Sequence, residues 1–277
     1  MRGLRRLLLV GLSAAVVSGL GGIARASLVA SDQSSNYSGY ENCNGLNYGT
    51  GFGTWVAGNT SGGTGGEFTY PSDLTAPASG GGFDMYDNGT QGGGTVADEY
   101  ACVRPFTGAL AAGQDFSFID ELNNGSNPTN GGPSNLGFSL EDSNGNVLFD
   151  FHVQGGGPGY LLSDATQSDT VESSVPYNYH AIDSFSFALT SVGPTTAAYT
   201  FTASGGNVSG GSQSFTGTVS MVTGGISQVA IYNNNGGQGS DVEFDNLAIT
   251  NVPEPVSLGT ASLGAALLLV RRRGRQA

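Results

Sequence analysis

Between Ser27 and Asn251 the apolar positions recur with a period of two, and no window sustains the 3.6-residue period of a helix. The clearest runs are Phe52–Ala57, Gly82–Tyr86, Thr95–Arg104, Asp115–Asp120, Leu136–Glu141, Val147–Gln154 and Ile182–Thr190. Ala197–Ala203, Ser214–Val222, Gln228–Tyr232 and Asp241–Thr250 complete the set. Gly, Asn, Ser and Pro separate them, and 47 glycines keep every piece short. Leu136, Phe138 and Leu140 alternate with small or polar residues, and Phe149, Phe151 and Val153 do so on the way back. Asn144-Gly145 between the two runs predicts a hairpin closed by a type I′ turn, with Asp150 and His152 facing outward. About eleven antiparallel strands, each with one apolar face, predict an all-β fold built as a two-sheet antiparallel sandwich.

The two ends of the chain break this pattern. Residues 1–26 have a basic start (Arg2, Arg5, Arg6), an apolar stretch from Leu7 to Ile23 and a small-residue site, Ala24-Arg25-Ala26. That is the layout of a secretory signal peptide whose apolar stretch is helical, removed by signal peptidase. Residues 252–277 read Val252-Pro253-Glu254-Pro255, then an uncharged run over 256–270, then Arg271, Arg272, Arg273 and Arg275. The prolines make the tetrapeptide extended and poor in donors. As a helix the run spans roughly 22 Å, short of a ~30 Å hydrocarbon core, and the arginines halt transfer on the cytoplasmic side. The expected organisation is thus a signal peptide (1–26), a sandwich ectodomain (27–251) and a tail (252–277) carrying a transmembrane helix at 256–270.

The tail resembles the PEP-CTERM sorting signal of exported bacterial proteins. The resemblance implies processing by exosortase, a membrane transpeptidase, with Pro253, Glu254 and Pro255 as recognition residues. It further implies delivery from a membrane-anchored intermediate to the cell surface or extracellular matrix. Segments 144–157, 185–190, 199–206 and 226–249 look like the sandwich ectodomains that precede this signal, which are similar to concanavalin-A-like jelly rolls.

Charge sharpens the picture. Of nine basic residues only Arg104 lies within 27–251, and there is no lysine, whereas 21 of the 22 acidic residues lie there. A domain of net charge near −20 repels phosphate backbones, which excludes nucleic-acid binding. It attracts divalent cations, calcium being the candidate outside a cell, although no cofactor is required by any motif. The only cysteines, Cys43 and Cys102, are expected to pair in an oxidising compartment, closing a loop of about 60 residues and adding roughly 4 kcal/mol in the chain-entropy picture.

Candidate chemistry is sparse. Asp241, Glu243 and Asp245 stand at alternate positions of the last run, which puts three carboxylates on one strand face about 7 Å apart. That spacing suits a cation or sugar site and is permissive for glycosidic hydrolysis. Some concanavalin-like glucanases carry a Glu-Asp-Glu strand; here the order is Asp-Glu-Asp. Asp98-Glu99, Asp120-Glu121 and Glu141-Asp142 are adjacent pairs whose members point to opposite faces and form no dyad alone. Asp142-Ser-Asn144-Gly145-Asn146 lacks the distal Glu of a calcium loop. His152 and His180 have no nucleophile motif near them. Tyrosines and the loop asparagines Asn123, Asn124, Asn127, Asn233, Asn234 and Asn235 are the residue types that hold sugars. The reading that follows is a non-enzymatic surface or matrix component, structural or adhesive, with no catalytic residues. A carbohydrate-binding module that takes extracellular polysaccharide, calcium-assisted, is the alternative, and a glycoside hydrolase the third.

Overall fold

The computed structural model describes residues 26–38, 41–59, 65–70, 81–87, 99–124, 135–154, 159–172, 174–176, 182–206, 208–234 and 240–252. Among them fifteen strands are formed: β1 (Ser27–Asp32), β2 (Val56–Asn59), β3 (Gly65–Tyr70), β4 (Gly82–Asp87), β5 (Glu99–Pro105), β6 (Gln114–Asn124), β7 (Asn135–Glu141), β8 (Val147–Gln154), β9 (Tyr160–Ser163), β10 (Thr170–Glu172), β11 (Ile182–Val192), β12 (Thr196–Gly205), β13 (Ser212–Ser220), β14 (Gln228–Asn234) and β15 (Ser240–Asn251). The larger sheet runs β13-β12-β11-β6-β15-β4-β3, with β1 also paired to β15; the smaller runs β10-β9-β8-β7-β14-β5-β2. Every pairing between these strands is antiparallel. The fold is therefore all-β, two antiparallel sheets packed as a jelly-roll-like sandwich.

The alternation in sequence becomes the two sides of each sheet. Along β11, Asp183, Phe185, Phe187 and Leu189 are buried while Ser184, Ser186 and Ala188 are half-exposed. Across the gap β7 and β8 contribute Phe138, Phe149 and Phe151. Phe138 meets Phe118 edge-on at 4.9 Å between ring centroids, and Phe151 stacks on Tyr160 at 4.6 Å. Such pairs contribute about 0.5–1.5 kcal/mol each beyond the area they bury.

Four strands, β1, β3, β9 and β10, carry no alternating signal of their own; they are short or glycine-rich and are set by their neighbours. The run expected at Phe52–Ala57 is strand only from Val56. Before it, the Trp55 N–H donates to Leu46 O (3.0 Å), Trp55 O accepts from Gly45, and the Gly53 carbonyl accepts from Arg104 Nη1. The hairpin at 136–153 forms, but not with a type I′ turn. Only Gly145 has positive φ (80°). Asp142 organises the loop instead, its Oδ1 accepting from Asn144 N (2.8 Å) and Asn146 N (2.9 Å) and its Oδ2 from Asn146 Nδ2 (2.7 Å). The side-chain hydrogen bonds from Asn146 and Thr223 hold the Asp142 carboxyl well below the usual range.

Residues 33–38 and 41–55 form a strap between β1 in the larger sheet and β2 in the smaller. It opens with a short 3-10 turn, Ser34–Asn36. Beneath it lies Arg104, the only basic residue of 27–251, fully buried. Its Nη2 pairs with Asp32 Oδ2 at 2.6 Å and donates to Asn47 Oδ1 at 2.7 Å. The Trp55 and Phe52 rings cover the guanidinium at 4.9 and 5.5 Å. Asp32 also accepts from Tyr37 OH (3.0 Å) and Trp55 Nε1 (3.1 Å). Burial pushes the Asp32 carboxyl up by more than Arg104 pulls it down. Arg104, its own value lowered by burial, stays charged because a guanidinium starts so high.

The disulfide expected of Cys43 and Cys102 is absent; both are free and fully buried thiols. They touch: burial first, then a hydrogen bond with Cys43, raises the Cys102 thiol. The helices expected at the termini, the sorting residues Pro253, Glu254 and Pro255, and the arginines Arg271, Arg272, Arg273 and Arg275 all lie outside the described residues. Among the described residues no helix is long and apolar enough to cross a membrane.

Removing one member of the buried pair leaves the other uncompensated. Arg104→Leu is expected to cost about 3–5 kcal/mol, read by urea unfolding; a loss below about 1 kcal/mol would contradict the role given to the pair. Replacing both, Asp32→Leu with Arg104→Met, should recover much of that loss.

Candidate functional site

β15 occupies the middle of the larger sheet, between β6 and β4, and its register sets the site. Glu243 lies directly opposite Glu121 of β6 on one side and Asp84 of β4 on the other. Val242 and Phe244, like Phe83 and Met85 of β4, are buried in the core, so the three carboxylates point to the other face of the sheet. Directly opposed residues have Cβ atoms about 4.5–5.5 Å apart. The row Asp84–Glu243–Glu121 therefore sets the Cβ of Glu243 about 5 Å from that of each neighbour, and the outer two Cβ atoms about 10 Å apart. Glu121 and Glu243 are only 1% and 2% exposed; Asp84 is half-buried.

One step along the same strands, on the core side, Asp120 of β6 faces Asp183 of β11. Both are buried, and Asp120 Oδ1 accepts no hydrogen bond among the described residues. Burial, and then the charges of Asp183, Glu243 and Glu121, hold the Asp120 carboxyl well above its usual range. Arg104, the only Lys or Arg within 27–251, is held by Asp32. Five carboxyl groups thus share one end of the sheet, and among them Asp120 is pushed toward its protonated form. A pair of carboxyls about 5–5.5 Å apart is the spacing of a retaining glycosidase, one member holding a proton and the other attacking.

The three carboxylates expected to act together, Asp241, Glu243 and Asp245, are separated by the fold. Asp245 is fully buried and serves the strap, accepting from Ser34 N at 2.8 Å and from Ser34 Oγ at 3.3 Å. A bulge follows it, with Asn246 at φ 58°. Asp241 pairs with Tyr86 and Asn123 in register, and its side chain lies outside the described residues. Only Glu243 remains from the trio, and its partners come from other strands. Glu121 was visible in sequence as half of an adjacent pair, and Asp84 as a lone polar position in an apolar run. Neither signal says which strand lies alongside.

The other candidates serve the fold. Asp142 holds its turn. His152 Nδ1 lies 2.5 Å from Asp150 Oδ2, and Tyr232 OH donates to Asp150 Oδ1 at 2.6 Å, on the outer face of the smaller sheet. Asn233 is buried rather than in a loop; Trp55, Tyr37, Tyr100, Tyr160 and Tyr199 are core residues and offer no surface to a sugar. Asn127, Asn235 and His180 lie outside the described residues. Among the described residues no three His, Cys, Asp or Glu side chains are placed to hold a metal ion.

No protein-family model and no curated protein matches the chain. Solved structures do. The catalytic domain of a glycoside hydrolase family 131 protein from Coprinopsis cinerea is 11% identical, with 74% of this chain and 85% of that one covered, at a TM-score of 0.47. A GH131 β-glucanase catalytic domain from Podospora anserina is 13% identical over 69% and 80%, at 0.42. A cellulose-induced protein, Cip1, is 13% identical over 70% and 90%, also at 0.42. These likenesses reach the layered β architecture and stop there. The expectation of a non-enzymatic structural or adhesive component is not met among them: two of the three are glycoside hydrolase catalytic domains.

Asp120 gives the site a pH signature. A carboxyl raised in the folded state adds stability below the unfolded value of about 3.9 and loses it as pH climbs toward the folded value. Asp120→Asn should therefore leave stability unchanged near pH 3 and raise it increasingly above about pH 4. Thermal melts across pH 3–8 measure this; an Asn variant less stable at pH 7 than at pH 3, relative to the native chain, would refute it.

Proposed function

We propose that this is a carbohydrate-active domain that cleaves a glycosidic bond at the Glu121–Glu243 pair. The observation that carries the reading is the register placing Glu243 directly between Glu121 and Asp84. In this reading one glutamate of the pair protonates the leaving oxygen while the other attacks the anomeric carbon. Water then releases the sugar with the first residue acting as base. Asp84, on the far side of Glu243, keeps a second carboxyl charge against it and so helps divide the roles of acid and nucleophile. The β-glucanase and cellulose-related names among the neighbouring structures support a glucan as the first substrate to try.

A second reading, carbohydrate binding without turnover, is favoured by the near-complete burial of both glutamates. In that case the row only accepts hydroxyl hydrogen bonds.

The terminal segments fit the same life outside the cytoplasm. The signal peptide at 1–26 and the PEP-CTERM-like tail support export, a membrane-anchored intermediate processed by exosortase, and release to the cell surface or matrix, where polysaccharide is encountered. Export also takes Cys43 and Cys102 into an oxidising compartment.

Reducing-sugar release from soluble β-glucans tests the main reading. Glu243→Gln and Glu121→Gln should each lower turnover by about 10²–10⁴-fold while glucan binding on affinity gels persists. Binding with no turnover in the native chain selects the second reading, and neither binding nor turnover removes both. For the tail, Glu254→Ala should accumulate the unprocessed form on immunoblots of cell envelopes; normal processing of that variant would detach Glu254 from recognition.

A further inference from the structure

We propose that Cys43 and Cys102 are an oxidation site whose disulfide locks the strap over the buried Arg104–Asp32 pair. The inference rests on the export reading above for its compartment, and on the following contacts for its geometry.

Each cysteine is held in place by its own backbone. Cys102 lies in the middle of β5, with Ile231 of β14 opposite on one side and Ala57 of β2 on the other. Cys43 sits in the strap, where its carbonyl accepts from Leu46 N at 2.9 Å. The next residue, Asn44, is tied twice: its N–H donates to Glu67 Oε1 at 3.3 Å and its Oδ1 accepts from Ala57 N at 3.1 Å. The two thiols therefore meet because two independently anchored segments bring them together, and neither is exposed to solvent. Glu67, whose carboxyl is raised by burial, closes the pocket from β3, and its Oε2 accepts no hydrogen bond among the described residues.

The same strap carries what surrounds Arg104: the Leu46 carbonyl (3.4 Å from Nη1), Asn47 Oδ1, the Gly53 carbonyl and the Trp55 ring. A bond from Cys43 to Cys102 anchors that segment to β5, the strand on which Arg104 itself stands two residues on.

The chemistry is thiol–disulfide exchange with a small-molecule or protein disulfide as oxidant. One cysteine thiolate attacks the donor disulfide and expels a donor thiolate, which takes up a proton. The second cysteine gives its proton to solvent and attacks the mixed disulfide, releasing the second donor thiol. The protein loses two electrons and two protons, and the donor gains them as two thiols. Because the folded pair is shielded and burial disfavours the Cys102 thiolate, the bond forms while the strap is still open, during folding.

The full reduced chain, refolded from denaturant with oxidised and reduced glutathione, tests this without export. Alkylation in denaturant after quenching should then find neither thiol free, and peptide mapping should join the segments around Cys43 and Cys102. The folded reduced chain given the same glutathione mixture should oxidise more slowly. Two alkylated thiols after refolding would overturn the site. Limited proteolysis supplies the second readout: cleavage within 41–55 should be slower in the oxidised chain than in the reduced one. Equal cleavage would overturn the lock while leaving the export reading untouched.

Discussion

The one Lys or Arg within residues 27–251 is buried, and much of the molecule is arranged to keep it so. Arg104 lies 2.6 Å from Asp32 under the Trp55 ring, and its Nη groups also donate to the Leu46 and Gly53 carbonyls and to Asn47 Oδ1 of the strap. A buried ion pair is not in itself a source of great stability, since desolvation offsets most of the attraction. Its effect here is geometric. Asp32 ends β1, Arg104 stands in β5, and Asn47 and Gly53 belong to the strap. Satisfying one guanidinium fixes a strand from each sheet and the crossing that joins them.

That arrangement has an electrostatic consequence at the carboxylate cluster. Arg104 is committed to Asp32, while β4, β6, β11 and β15 gather five carboxyl groups. Burial, and then the neighbouring acids, raise the Asp120 carboxyl. A raised carboxyl is a liability for stability above its unfolded value and an asset for acid catalysis. The same strand β15 carries both outcomes: Asp245 is spent on Ser34 to anchor the strap, whereas Glu243, two residues earlier, meets a carboxyl on each side.

Much of the architecture was legible because local alternation and burial agree. β8, β11 and β12 could be drawn from Phe149, Phe151, Phe185, Phe187 and Phe201 alone. What escaped depends on non-local pairing. β3, with two glycines at its start, is a strand only because β4 lies beside it. The turn after Glu141 was placed correctly but given the wrong geometry, because the Asp142 carboxylate supplies hydrogen bonds that an Asn-Gly signal does not reveal. The carboxylate row was the least readable feature. A period-two pattern says that Glu243 and Asp245 share a face; it cannot say that Glu121, 122 positions earlier, is the one that meets Glu243. The bulge after Asp245 is equally silent in sequence, and it is what assigns that residue to the strap.

Net charge also narrows what the site can receive on the proposed reading. A polysaccharide bearing carboxylates or sulfates would approach a domain with 21 acidic residues and one buried arginine, and the repulsion would oppose its encounter at low salt. It would then have to seat its own anions beside the carboxyls of Asp84, Glu243 and Glu121. Neutral glycans meet neither obstacle, because their hydroxyls donate hydrogen bonds to carboxylates. The row of acids that makes hydrolysis chemically plausible thus excludes anionic chains and selects uncharged ones.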